Sequence, residues 1–158
     1  MFPSLNLSNF IIKWRDALVN SQEIDDFCQS KYGKSLKLFI GLDVNQPPTK
    51  QDCPYILIYP GKKVEGASKK INRYTIPIEW SINNNTKTES NNLIELPGGY
   101  EVEELGQLVL MVLNGASVDH PISKVDYNAE ITESFPQFIR RMEVKFHFIP
   151  ALGGSLVY

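Results

Sequence analysis

From residue 72 the chain alternates apolar and polar side chains, with Tyr74, Ile76, Ile78, Trp80 and Ile82 two residues apart, and residues 83–92 then carry no apolar side chain. A period of two places the first set on one face of a half-buried strand. The polar run that follows has too little to bury, which predicts an arm leaving the sheet and ordering only against a partner. Pro77 cannot donate to a sheet ladder, so this strand is expected at an edge or a bulge.

Upstream, Ser8 is the expected N-cap of a helix whose Phe10, Ile11, Trp14, Leu18 and Val19 fall mostly on one face. A break near Asn20 and the capping-box pattern "NSQE" predict a second helix through Ile24, Phe27 and Cys28, stopped by Gly33, unless the pair is one bent helix. "SLKLFIGL" and "PYILIYPG" read as strands, joined by "DVNQPPTKQDC", where Pro47 and Pro48 hold the backbone extended. The basic turn "GKKVEGASKK" leads into the alternating strand.

Downstream, "LPGGYEVEELGQLVLMVLNG" predicts a helix with Glu101, Glu103 and Glu104 in its first turn and Gly115 just past its end. Its core face would carry Leu105, Leu108, Val109, Val112 and Leu113. Two further alternating strands follow, one through Val125, Tyr127, Ala129 and Ile131, the other through Phe138, Arg140, Met142, Val144, Phe146 and Phe148, with "ESFPQ" turning between them. The element order lacks regular βα alternation. It predicts an α+β fold, a mostly antiparallel sheet of about five strands with two or three helices packed on one face. The long helix leaves room for one parallel pairing between the strands it connects.

A chain of 158 residues with 42% hydrophobic and 22% charged side chains has the size and composition of one globular domain, 1–158. No window approaches the ~20 apolar residues of a membrane span. The start "MFPSLNLSNFIIKW" has neither a basic leader nor a continuous apolar stretch, which predicts no signal peptide and a cytoplasmic site of synthesis and assembly. Cys28 and Cys53 are too few for a disulfide framework and are expected as reduced, buried thiols.

The formal charge of -2 attracts no nucleic acid globally, but the charges are sorted. Lys62, Lys63, Lys69, Lys70 and Arg73 face Glu65 alone, while Glu89, Glu95, Glu101, Glu103 and Glu104 follow Lys87. The plain reading of each run is a solvated loop or helix end. Aromatic residues do not interleave the basic run, which argues against specific nucleic-acid binding and favours a solvated hairpin or a contact to an acidic protein patch.

Candidate chemistry is thin. "YGKS" lacks the leading glycine of a phosphate loop and sits between a helix and a strand, the reverse of that motif's order. "LPGG" precedes a helix, but three glutamates fill the field an anion would use. Asp119 could orient His120 as a base, with no nucleophile in view. His147 reads as solvent-facing between Phe146 and Phe148. No catalytic, cofactor or metal site is expected.

The run of an N-terminal helix, a Pro-bearing loop into "CPYILIYPG", a long strand with a polar loop, a central helix ending in "LNG" and a closing aromatic strand resembles the tail terminator or tail-completion proteins of long-tailed bacteriophages. The resemblance spans residues 8–150 and is architectural. It implies a structural virion protein without enzymatic activity, a hexameric ring that caps the tail tube and joins it to neck or connector proteins. Ring closure by head-to-tail contacts needs two complementary patches on each subunit. The basic residues Lys62, Lys63, Lys69, Lys70 and Arg73 would supply one. The acidic helix start, Glu101, Glu103 and Glu104, would supply the other, with Asn84, Lys87 and Glu89 of the arm reaching the tube or neck. The tail "PALGGSLVY", residues 150–158, either adds to a neighbouring sheet edge or closes its own. Another neck or head-tail adaptor component, or a small enzyme with His120 or His147 in a deep pocket, are the alternatives.

Overall fold

A computed structural model describes residues 5–65, 72–128 and 135–148. Two helices open the chain, α1 (Leu7–Val19) and α2 (Gln22–Tyr32). The first is capped by Asn6, whose side chain accepts from the Ser8 amide, so Ser8 lies one residue inside the helix and is not its cap. Ser21 caps the second by accepting from the Ile24 amide, and Gly33, at φ 64°, ends it in the left-handed region that glycine adopts without cost. Asn20 thus ends α1 and does not start a capping box, and the pair is two helices, not one that bends.

The strands are β1 (Lys37–Ile40), β2 (Tyr55–Ile58), β3 (Lys62–Val64), β4 (Asn72–Asn83), β5 (Thr88–Ser90), β6 (Leu93–Glu95), β7 (Lys124–Asn128) and β8 (Gln137–Phe148), with α3 (Gly98–Ala116) between β6 and β7. Six of them form one sheet in the order β1-β2-β4-β8-β7, with β3 also paired to β4, and β5 and β6 form a separate hairpin. The sheet is mixed and mostly antiparallel. The parallel pair is β1 with β2. β4 and β7, the sheet strands before and after α3, do not pair with each other, because β8 lies between them and runs antiparallel to both, so the long helix does not join a parallel pair.

Pro77 lies in a central strand and not at an edge, but it does face a bulge: Ile58 pairs with Ile78 and Lys62 with Thr75, so residues 59–61 oppose only Ile76 and Pro77. The Pro77 carbonyl accepts from the Tyr59 amide, and in an antiparallel strand a residue's N–H would point to the same side as its C=O. On that side β2 has ended at Ile58 and β3 begins only at Lys62, so no ladder bond is lost there. The basic "turn" begins as a strand, because Lys62 and Lys63 pair with Thr75 and Tyr74.

All three helices cover one face of the sheet. Trp14, Leu18, Ile24 and Phe27 from α1 and α2, and Val102, Leu105, Val109 and Leu113 from α3, pack with Ile56, Tyr74, Ile76, Ile78, Trp80, Met142, Val144 and Phe146. Leu108 and Val112 are half-buried at its margin. Glu101 alone of the three glutamates lies in the first turn of α3, and Gly115 is inside the helix, which Ser117 caps. Gly106 is one of the places where α3 packs closely on the sheet: a Cβ there would stand 2.5 Å from Cζ2 of Trp80, whose indole N–H donates to the Val102 carbonyl at 2.8 Å.

Candidate functional site

The long strand β4 organises the surface. It is 12 residues long, so its ends lie roughly 36 Å apart at about 3.3 Å per residue. The end near Asn72 carries exposed Lys62, Lys63 and Arg73, whereas the end near Asn83 carries both signs, with Glu89, Glu101, Glu103 and Glu104 among Lys31, Lys34, Lys50 and Lys87.

At the end near Asn83 the chain makes the hairpin β5–β6. Its register, Ser90 opposite Leu93, leaves Asn91 and Asn92 as a two-residue turn, with Asn91 at φ 51°. Asparagine tolerates the positive φ that such turns require. The expected polar arm is therefore partly closed on itself, which corrects the reading that it orders only against a partner. Polar side chains suffice here because a two-residue turn needs backbone tolerance, not burial. The apolar residues of the hairpin are Leu93 and Ile94, 53% and 63% exposed, with Tyr100 nearby at 68%. Among the described residues, β5 and β6 pair with each other alone.

The base of the hairpin is tied to the helices. The Tyr32 hydroxyl and the Asn84 amide both donate to Glu101 at 3.0 Å. Burial and the Glu101 carboxylate push the Tyr32 hydroxyl well above its ordinary value, so it stays a donor. The structure thus brings Asn84 and Glu101 together, as neighbours within one chain. The remaining acidic residues have local cations: Glu103 meets Arg140 at 2.6 Å, Glu104 lies 3.9 Å from Lys31, and Glu89 pairs with Lys87. Their carboxylates are all more than half exposed, and pairs of that kind contribute about 0–1 kcal/mol, so their partners are exchangeable.

At the other end, Lys62, Lys63 and Arg73 are exposed around the β3–β4 pair, and Arg73 stands opposite His147 on β8. His147 is solvent-facing. Lys69 and Lys70, Ala129 and Ile131, and the tail 150–158 lie outside the described residues.

The face of the sheet away from the helices holds a polar cluster that alternation did not reveal. Glu79, only 5% exposed, accepts from Tyr55 Oη at 2.8 Å, Tyr59 Oη at 3.2 Å and Arg141 Nε at 2.6 Å. Burial and then the hydrogen bond to Glu79 push the Tyr55 hydroxyl upward, while that carboxylate raises the Arg141 guanidinium. Three donors converge on the two Glu79 oxygens from within the protein, which makes it a structural clamp across β2, β4 and β8. Cys53 and Ser81 lie close together on the same face, 3.3 Å apart.

His120 lines a groove of about 400 Å³ with Leu5, Phe10, Ile12 and Lys13. Its ring lies 5.4 Å from that of Phe10, tilted by 51°, and Asp119 is taken by Lys13 at 2.8 Å. That contact holds the Asp119 carboxyl below its usual range and draws it into an ion pair with Lys13. Among the described residues no three metal-ligating side chains gather, and no helix is long and apolar enough to cross a membrane. Cys28 and Cys53 are both buried and unpaired. No protein-family model matches this chain, and no curated protein is similar to it in sequence.

Proposed function

We propose that the chain is a structural subunit of a tailed-phage particle, a tail terminator or tail-completion protein. In this reading it closes into a hexameric ring on the end of the tail tube and presents its outer surface to the neck or connector. It would be made in the host cytoplasm and reside in the virion, with a role in binding and none in chemistry.

The observation that carries the reading is the projecting hairpin with Leu93 and Ile94 in water. Two-stranded ribbons are marginal on their own, and each such side chain gains about 1.5–3 kcal/mol when fully buried. A second protein surface supplies that burial. The basic end of β4 supports a head-to-tail arrangement, because its cations cannot reach the hairpin-end glutamates of their own subunit but can reach those of a neighbour, whose exposed local ion pairs are exchangeable. Lys62 and Arg73 of one copy would then meet the exposed glutamates at the hairpin end of the next.

Negative-stain imaging of the purified chain, beside a variant with residues 85–94 replaced by a short Gly-Ser linker, tests this. The reading expects rings from the natural chain and folded single subunits from the variant. Rings from both would remove the hairpin from the contact, and rings from neither would remove the ring.

A further inference from the structure

A second feature at the hairpin end does not depend on the assembly reading. A polar cleft of about 510 Å³ lies between the end of α2, the residues around the 3-10 turn Lys50–Asp52 and the segment leaving β4. Its walls carry Lys31, Lys34, Lys50, Asn85, Thr86 and Glu101. A space of this size matches a small-molecule site, but such sites are mostly apolar and this one is not. Polar walls select a polar ligand.

The charge in the cleft sets the sign of that ligand. Three ammonium groups face one carboxylate, and the Oε2 atom of that carboxylate is already occupied by Tyr32 and Asn84. Lys31 is drawn partly away, 3.9 Å from Glu104 and over the ring of Phe27. Lys34 and Lys50 have no ion-pair partner among the described residues. Lys34 is exposed, and its ammonium is close enough to Cys53, another residue lining the cleft, to act against the rise that burial gives that thiol. Two unpartnered cations brought to one concave surface repel each other, which an anion between them reverses. The exposed Asn85 and Thr86 add neutral donors at the rim.

We propose that this cleft binds a small, doubly charged oxyanion of the phosphate class, held between Lys34 and Lys50 with Lys31 at the mouth. Two lysines suit such an anion as point charges, without the planar fork that arginine offers a carboxylate. The phosphate of a small ester and free inorganic phosphate share this chemistry.

The test is a titration of the full chain with inorganic phosphate and, separately, with glycerol 3-phosphate, at constant ionic strength set by chloride, followed by amide shifts in NMR spectra. Saturable shifts are expected in Lys34, Lys50 and residues 84–86. The double variant Lys34→Ala, Lys50→Ala should weaken binding by about tenfold or more, as loss of charge-assisted hydrogen bonds requires. Lys62→Ala, at the far end of β4, should leave it unchanged. Tighter binding of the ester would identify an organic phosphate, and equal binding would identify the free ion. Shifts that never saturate, or a loss of the same size in Lys62→Ala, would overturn the site. Each variant is first shown to unfold at the natural chain's midpoint.

Discussion

Two glycines of α3 should respond to the same substitution with opposite signs. Gly115 is exposed, and a Cβ built there meets nothing within 4 Å, so Gly115→Ala adds helix propensity alone and should stabilise by about 0.5–1 kcal/mol. Gly106 is fully buried, and the same methyl would stand 2.5 Å from Cζ2 and 2.9 Å from Cε2 of Trp80. The ring cannot withdraw cheaply, since Trp80 is 1% exposed and its N–H is bonded to Val102. Overpacking costs about 1–3 kcal/mol and a strained hydrogen bond about 1, against a propensity gain near 1. The net loss is about 1–3 kcal/mol. Urea unfolding followed by tryptophan fluorescence reads both variants, because Trp14 and Trp80 are each buried. In a thermal melt of a chain of this length the two melting temperatures should differ by about 3–16 °C. If Gly106→Ala were as stable as Gly115→Ala, the described contact between α3 and β4 would be wrong.

Glu79→Ala should destabilise by about 2–4 kcal/mol, since it strands the Tyr55 hydroxyl in a buried site, whereas the half-exposed Arg141 can turn to water; urea midpoints measure it. Stability should fall at high pH. Burial pushes the Cys28 thiol up from 9.0 to about 12, so its neutral form is favoured by the fold, and that contribution is whole below pH 9 and lost as pH rises from 9 through 12. Tyr32 and Tyr55 act in the same direction, and Cys28→Ala should flatten the decline in denaturant midpoint between pH 8 and 10.5. Charge reversal by Lys62→Glu with Arg73→Glu should weaken self-association in low salt and matter less at about 0.5 M, where screening removes exposed pairs; sedimentation at the two salt levels reads this.

Alternation made β4 and β8 legible, because apolar side chains every second residue have one physical solution, a strand with one face buried. The helices were legible for the same reason at their own period. Their ends shifted by a residue or two because Asn6 competed with Ser8, and Ser21 with Asn20, for capping roles that either chemistry satisfies. Short strands were not legible: β3 and the hairpin have three residues each, too few for a period. The hairpin did leave a trace, the Asn91-Asn92 pair before Leu93 and Ile94. The Glu79 cluster was hidden, since a glutamate in an alternating strand reads as solvent-facing, and its partners Tyr55, Tyr59 and Arg141 converge only through strand register. The cleft was equally invisible, because Lys34, Lys50 and Thr86 become neighbours only when three separate loops fold together.

The central claim is that the hairpin end of one copy is covered by another. Light scattering on a sizing column, run over a hundredfold range of concentration, measures it directly. The account predicts a species of about six 17.9 kDa chains that Leu93→Asp with Ile94→Asp converts to single chains of unchanged fold. A natural chain that elutes as a 17.9 kDa monomer throughout, or an oligomer indifferent to the two aspartates, would contradict it.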